Sequence, residues 1–462
     1  MDYSDRTKEL ATKKISTLLW AYALPSIISQ IIASLYNVTD RMCIGQGVDS
    51  MAISGLTITF PFMNIIHAFG ALVGVGASAR MSIVLGKKDV NWAENILGNA
   101  VYLTFVFGAL FMTAGYLYID DILLLLGATP LNVGYAREYM LIVLPGMFFT
   151  TLSYNLTGMI RSSGYPKKSM YILGGGAVLN IVLDLLFIFV FKLGISGAAW
   201  ATTISMVATA VASVWHFVKK DSFIRFRRHA WQPKFYIFRN ILLIGMSPFL
   251  MNLAAAGVVA MLNRQITVYG GENAVSAYGI MNSFGNMGVL IILGICQGMQ
   301  PIAGYNYGAG LKDRLKEVLF LSMKINMIIG LAGALLACLC PRLLAHGFTG
   351  DQNLIELCVP CFRYMMCMMP LIGFTITNSN FFQSIDKPWV AITTSLLRQV
   401  IILLPFIYIF PSVFEHFGGS GLTGIWFSAT VSDVLAAVIS GGLLYSQRKV
   451  FLTEVAPQKQ SL

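Results

Sequence analysis

Two carboxylates in this sequence stand where a carboxylate is expensive. Asp184 lies in an apolar run from about 170 to 191. At ~1.5 Å per residue that run is long enough to cross a bilayer, and a charged side chain inside it costs roughly 2.5–3.5 kcal/mol on insertion scales. Asn180 precedes Asp184 by one helical turn, so amide and carboxylate share a face. An oxygen-rich face of this kind suits a proton or a small hard cation. The competing explanation is a buried polar pair that joins two helices. Asp40 closes a second such face with Tyr36 and Asn37, near the outer end of the first apolar segment. Its neighbour Arg41 offers the alternative of a solvated helix end.

The elements that must hold these groups are membrane helices. The chain has 462 residues, 56% hydrophobic and only 11% charged, and a mean hydropathy of +0.70. This composition belongs to a polytopic membrane protein, and no stretch is polar and long enough for a soluble domain. Apolar runs place helices at 16–43, 52–84, 94–118, 134–160, 168–191, 197–217, 237–263, 274–306, 315–341, 355–383, 388–411 and 420–446. The fold class is therefore all-α, with twelve transmembrane helices. The N-terminus lacks a signal-peptide cleavage pattern, so the first helix is expected to be retained as an anchor.

A net charge of +11 invites a nucleic-acid partner, but the placement of the charge argues against one. Lys and Arg collect on alternate connections: Arg6, Lys8, Lys13 and Lys14; Arg80, Lys87 and Lys88; Arg161, Lys167 and Lys168; the stretch 219–239; Lys312, Arg314 and Lys316; Lys387; Arg448 and Lys449. The other connections hold only Arg41, Lys192, Arg264 and Arg342, with Arg137 at a helix entrance. By the positive-inside rule both termini are cytoplasmic and the number of spans is even. The basic stretch 219–239 is expected to touch anionic membrane lipid rather than to form a specific partner site. Seven cysteines scattered through apolar segments give no disulfide framework. Cys358-Val-Pro-Cys361 has no βαβ context for redox work, and Gly74-Val75-Gly76-Ala77-Ser78-Ala79 has no preceding strand for a dinucleotide, so it reads as a close helix contact. No H-E-x-x-H, G-x-S-x-G or G-x-G-D pattern is present, and the chain reads as no enzyme and as needing no cofactor.

The two halves repeat at an offset of roughly 222–227 residues. Leu24-Pro25-Ser26 answers Met246-Ser247-Pro248, and Leu85-Gly86-Lys87-Lys88-Asp89 answers the stretch from Tyr307 to Asp313. Ser162 through Pro166 answers Ser384 through Pro388, and Gly194-x-x-Gly197 answers Gly421-x-x-Gly424. This gives an N-lobe over 1–218, a basic link over 219–239 and a C-lobe over 240–462, six helices each, as a parallel pseudo-two-fold repeat. Transporters whose bundles rock about a central cavity are built this way. At the places of Asp40, Asn180 and Asp184 the second half carries Asn263, Ile402 and Phe406. It has Arg363 and Arg398 in apolar segments and Asp433 in its last helix, and an Asp433–Arg398 ion pair is one structural explanation for those groups.

With these motifs in this order, nearly the whole chain resembles the multidrug and toxic compound extrusion (MATE) transporters, and among them the prokaryotic, N-lobe-coupled (DinF-like) branch. The resemblance rests on the Pro25…Asp40 helix, Gly86-Lys87-Lys88-Asp89, Tyr307-Gly308-Ala309-Gly310, Arg161-x-x-Gly164-x-Pro166, Asn180-x-x-x-Asp184 and Gly197-Ala198-Ala199-Trp200-Ala201-Thr202. It implies a V-shaped pair of lobes that exports amphipathic, often cationic compounds in exchange for H⁺ or Na⁺. It also implies an ion site on Asp40, Asn180, Asp184 and Thr202 with the carbonyl of Ala198, and an N-lobe cavity lined by Tyr36, Asn37, Tyr139 and Asn155. A branch of the family uses acids in the seventh and tenth helices. Here those helices offer Asn263 and Arg363, which points to the N-lobe.

The expected mechanism follows. Asp40 and Asp184 form a coupled pair that takes up H⁺ or Na⁺, since neighbouring buried carboxylates favour a shared proton near neutral pH. Asn180 and Thr202 add neutral oxygens, and Pro25 lets the first helix bend. Phe60, Met63 and Met206 supply an adaptable wall for varied substrates, in competition with plain helix packing. The setting is the bacterial cytoplasmic membrane, the protein a monomer. The rival is a flippase for a lipid-linked oligosaccharide, whose pyrophosphate requires a strongly basic cavity; only Arg363 and Arg398 qualify.

Overall fold

In hydrocarbon every backbone polar group must be bonded within its own segment, so long apolar runs become helices. The computed structural model describes residues 9–48, 50–219 and 222–451; Arg6, Lys8 and Lys220 of the basic connections lie outside the described residues. In chain order α1 runs Ile15–Gly47, α2 Ser50–Gly86, α3 Val90–Leu117, the short α4 Ile119–Leu125, α5 Val133–Ser162 and α6 Pro166–Asp184. A π-helical turn, Leu185–Val190, continues α6, and α7 follows over Gly194–Val218. After a 3₁₀ turn at Arg228–Trp231 come α8 Phe235–Gly308, α9 Lys312–Leu339, the short α10 Pro341–His346, α11 Gln352–Met366, α12 Met369–Ser384 and α13 Pro388–Leu396. A second π segment, Leu397–Leu403, leads into α14 Leu404–His416, then α15 Gly421–Ser446 and a closing 3₁₀ turn Arg448–Phe451.

Among the described residues ten helices are individually long and apolar enough to span a bilayer. One of them is α8, with 74 residues; at ~1.5 Å per residue it would exceed a bilayer several times over. Its path breaks at Gly271, the only residue inside it with non-helical angles (φ 69°, ψ −172°), and it therefore supplies two spans. The pair α11 and α12, bent by 45°, supplies one more, and the total is the expected twelve. The expected loop between 263 and 274 shrinks to that single glycine, whose positive φ an L side chain rarely adopts. The expected unbroken helix over 355–383 is kinked instead, because Pro370 opens α12 and forbids the preceding hydrogen bond.

The described residues pack as two compact units: residues up to Lys13 with Leu24–Phe249, and Lys14–Ala23 with Leu250 onward. Of the three crossings between the units, those after Ala23 and after Phe249 fall beside a proline, Pro25 in α1 and Pro248 in α8, and the one after Lys13 does not. Each unit has its own core, around Ile44, Leu56 and Val143 in the first and Phe362, Ile407 and Trp426 in the second.

The repeat is visible in the backbone as well as in the sequence. Lys88 (φ 62°) and Gly310 (φ 73°) occupy equivalent loop positions, as do Gly164 (φ 94°) and Asp386 (φ 62°). The short helices α4 and α10 also correspond, and so do the two 3₁₀ turns that follow the sixth span of each unit. In the first unit that turn belongs to the basic link, which is strapped down rather than free. Glu94 on α3 is fully buried; it accepts the Arg225 N–H at 3.2 Å, and Arg227 Nε and His229 Nε2 stand 3.2 and 3.0 Å from its carboxylate oxygens. Asn99, one face-turn further along α3, donates to Gln232 O at 3.1 Å and accepts the Lys234 N–H at 2.8 Å. Part of the link's positive charge is thus used inside the fold.

Candidate functional site

Four helices of the first unit bring most of the expected polar residues to one place. Tyr36 and Asp40 come from α1, Tyr139 from α5, Asn180 and Asp184 from α6, and Ala198 and Thr202 from α7. Asp184 is fully buried and Asp40 is 8% exposed, so Asp40 is no solvated helix end. Asp184 is the last α-helical residue before the π turn, a local widening that recurs at functional sites.

With its amide oriented to satisfy both ends, Asn180 donates to Asp184 Oδ2 at 3.1 Å and accepts the Thr202 N–H at 3.3 Å. The carboxyl groups of Asp40 and Asp184 lie within hydrogen-bonding reach of each other. Each also keeps a buried oxygen, Asp40 Oδ1 and Asp184 Oδ1, with no donor from the protein. Ionised carboxylates only accept, so two of them bond only through a proton between them, and in a low dielectric their repulsion is strong. One added positive charge between the two acids would offset that repulsion. A bridging proton meets that need. So does a small hard cation, with the acid oxygens and the Thr202 hydroxyl as its donors.

The Tyr139 phenol lies beside the Thr202 side chain, and Tyr36 lies within electrostatic reach of both acids. Cys43, buried one turn beyond Asp40, faces the same two acids; the sequence reading missed it, and its i+3 spacing from Asp40 was the available signal. Arg41 lies over the Phe60 ring, 4.5 Å from its centroid. Ala198 is fully buried. Met63 and Met206 pack, half-buried, against the first core, and Thr59 donates to Met63 Sδ at 3.9 Å. Asn37 is exposed and donates back to Ala33 O at 2.7 Å. Pro25 lies inside α1, where its carbonyl accepts the Ser29 hydroxyl at 2.8 Å.

Asn155 is placed differently. It is 1% exposed and donates to Thr104 Oγ1 of α3 at 2.7 Å, while a side chain on Gly74 of α2 would collide with its Oδ1. By the repeat offset Thr104 corresponds to Asn326 and Asn155 to Thr377, and Asn326 donates to Thr377 Oγ1, also at 2.7 Å. The same bond is made in both units with the two residue types exchanged. Thr203 donating to Ile142 O (3.0 Å) and Thr430 donating to Tyr364 O (2.5 Å) are a second such match. A bond kept in both units is a requirement of the fold, whereas the acid pair has no counterpart. Asn155→Ala is therefore expected to lower thermal stability by about 1–2 kcal/mol, and the exchange Thr104→Asn with Asn155→Thr to recover it, as thermal unfolding in detergent would report.

The MatE family model matches residues 25–186 and 244–409, more than half of the chain. The chain belongs to the MatE family. Multidrug export protein MepA of Staphylococcus aureus (strain NCTC 8325 / PS 47) is 27% identical over 428 residues, 92% of this chain and 93% of its own. A crystal structure of MATE in the bent conformation superposes with a TM-score of 0.89 at 25% identity, over 97% of this chain and 99% of that one. An outward-facing multidrug resistance MATE family transporter of the MOP superfamily gives 0.88 at 25% identity, with the same coverage. Like these MATE proteins the chain is a twelve-helix, two-lobed membrane transporter and not an enzyme. The first matched block runs from Pro25 to just past Asp184, and Thr202 and Asp433 lie outside both blocks.

Proposed function

We propose that this MatE-family protein is a multidrug exporter that moves amphipathic, cationic small molecules out of a bacterial cell against an inward flow of H⁺ or Na⁺. The observation that carries the reading is the pair Asp40–Asp184, buried within the first unit and lacking a counterpart in the second. Asp40, Asn180, Asp184 and Thr202 hold the coupling ion, with Tyr36 and Tyr139 beside them, and Pro25 lets α1 bend as the acids are neutralised. Loading and release alternate the protein between outward-open and inward-open forms. The protein works as a monomer in the cytoplasmic membrane, both termini inside. The MepA relative, a multidrug export protein, supports the export of drugs. The flippase reading loses support, because one of its two arginines is held in an ion pair and the other is exposed with a single bond to a backbone carbonyl. Arg398 pairs with Asp433, and Arg363 Nε donates to Cys338 O at 3.3 Å.

The test is export of a fluorescent cationic dye from proteoliposomes given a pH gradient alone or a sodium gradient alone. One of the two is expected to drive accumulation that collapses when the matching ionophore is added. Dye movement indifferent to both gradients defeats the proposal.

A further inference from the structure

The second unit carries a charged pair in the seam that corresponds to the acid site. By the repeat offsets Arg398 takes the place of Gly176, one turn before Asn180 on the same helix face, and Asp433 takes the place of Met206. Arg398 Nε donates to Asp433 Oδ1 at 2.5 Å. Asp433 is 2% exposed, and its Oδ2 is buried with no hydrogen-bond donor. The neighbouring Ser432 hydroxyl donates to the Arg398 carbonyl at 2.7 Å, which lies within the π segment Leu397–Leu403. Arg398 is thus tied to α15 through both its main chain and its side chain. Tyr278 of α8 lies within electrostatic reach of Arg398 and of Cys361; among the described residues no second acid acts on Asp433.

The contrast with the first unit is one of charge balance. There, two acids meet; Arg41 acts on Asp40 only through space, and among the described residues no arginine is hydrogen-bonded to either acid. Here, one acid meets one tethered cation, and the pair is neutral without help. A buried carboxylate stripped of its partner retains a strong demand for a cation, and the space vacated by the planar guanidinium, beside that acceptor, fits a free guanidinium.

We propose that Asp433 forms a monovalent-cation site in the second unit, shaped for a guanidinium and kept filled by the protein's own Arg398. The site is therefore closed to the ions outside. Its consequence for coupling, that only the first unit loads an ion, rests on the proposed function; the site itself does not.

The experiment compares the thermal stability of purified wild type, Arg398→Ala and Arg398→Ala with Asp433→Ala, in guanidinium chloride or sodium chloride at about 20 mM, where binding to the folded state raises its melting point. Guanidinium is expected to raise the melting temperature of Arg398→Ala by about 5 °C and to leave the other two unchanged relative to sodium. If Arg398→Ala survives purification only with guanidinium present, while the double variant survives without it, the site is supported equally. An Arg398→Ala protein that responds no better to guanidinium than to sodium, or that is lost in both buffers, overturns it, as does an equal response in the double variant. The measurement needs no gradient and leaves Asp184 intact, so its failure is separable from failure of ion-coupled export. An added Asp184→Asn change is expected to leave the guanidinium response in place.

Discussion

Asp184→Asn is expected to reduce the steady-state dye accumulation driven by a gradient to equilibration across the membrane. One charge moving through ~100 mV supplies about 2.3 kcal/mol, close to a forty-fold concentration ratio. An asparagine at 184 neither ionises nor takes up a proton, so the ion no longer alternates with the substrate. The replacement is nearly isosteric and keeps an oxygen to accept the Asn180 amide, which now lies 3.1 Å from Asp184 Oδ2. The fold should therefore persist, with an unchanged melting temperature as the control. Asp40→Asn should act in the same direction, because it removes the other half of the shared site. Full gradient-driven accumulation in both variants would place the coupling elsewhere.

The largest loss of stability is expected from Gly245→Ala. A Cβ at Gly245 would stand 1.7 Å from Leu72 O and 2.5 Å from its carbonyl carbon, and one at Gly76 would stand 2.0 Å from Ile241 O. These contacts are with backbone, so no rotamer relieves them, and α2 and the start of α8 must move apart. In a bilayer, association between helices depends on such close packing. Overpacking of this kind costs about 3 kcal/mol, several degrees in melting temperature, together with loss of a monodisperse species in detergent. Gly175→Ala is the control, because nothing lies within 4 Å of its added methyl. Equal melting temperatures for the two variants would contradict the crossing described here.

The sequence showed the twelve spans because hydrocarbon-length apolar runs have one structural outcome, and the repeat because its loops keep the same backbone turns at Lys88/Gly310 and Gly164/Asp386. It also showed the Arg398–Asp433 pair, since each charge needed a partner in an apolar segment. What it hid depends on geometry between segments. The Gly271 break and the 45° bend at α11–α12 are local backbone events inside otherwise uniform apolar runs. The π turns after Asp184 and around Arg398 carry no composition signal of their own. The Thr104–Asn155 bond was invisible because its partner pair, Asn326–Thr377, exchanges the residue types, so a comparison of identical residues passes over it. The strap on Glu94 was concealed for the opposite reason. A basic stretch reads as lipid-facing, and only the fold reveals that a buried acid on another helix claims part of it.

The exchange of segments at Pro25 and Pro248 sets an order of assembly while the chain is being made. The first unit needs the stretch ending at Phe249, where Ile241 and Gly245 meet α2, so it is finished only after the start of the seventh span has left the ribosome. The second unit needs Lys14–Ala23, against which Gly298 packs with its Cα hydrogen pointing at the Ala23 backbone. Those residues precede the rest of their unit by some two hundred positions and wait for one of the later helices. A chain cut in the basic link would therefore yield two fragments with six spans apiece, each lacking a strip of wall that the other fragment carries.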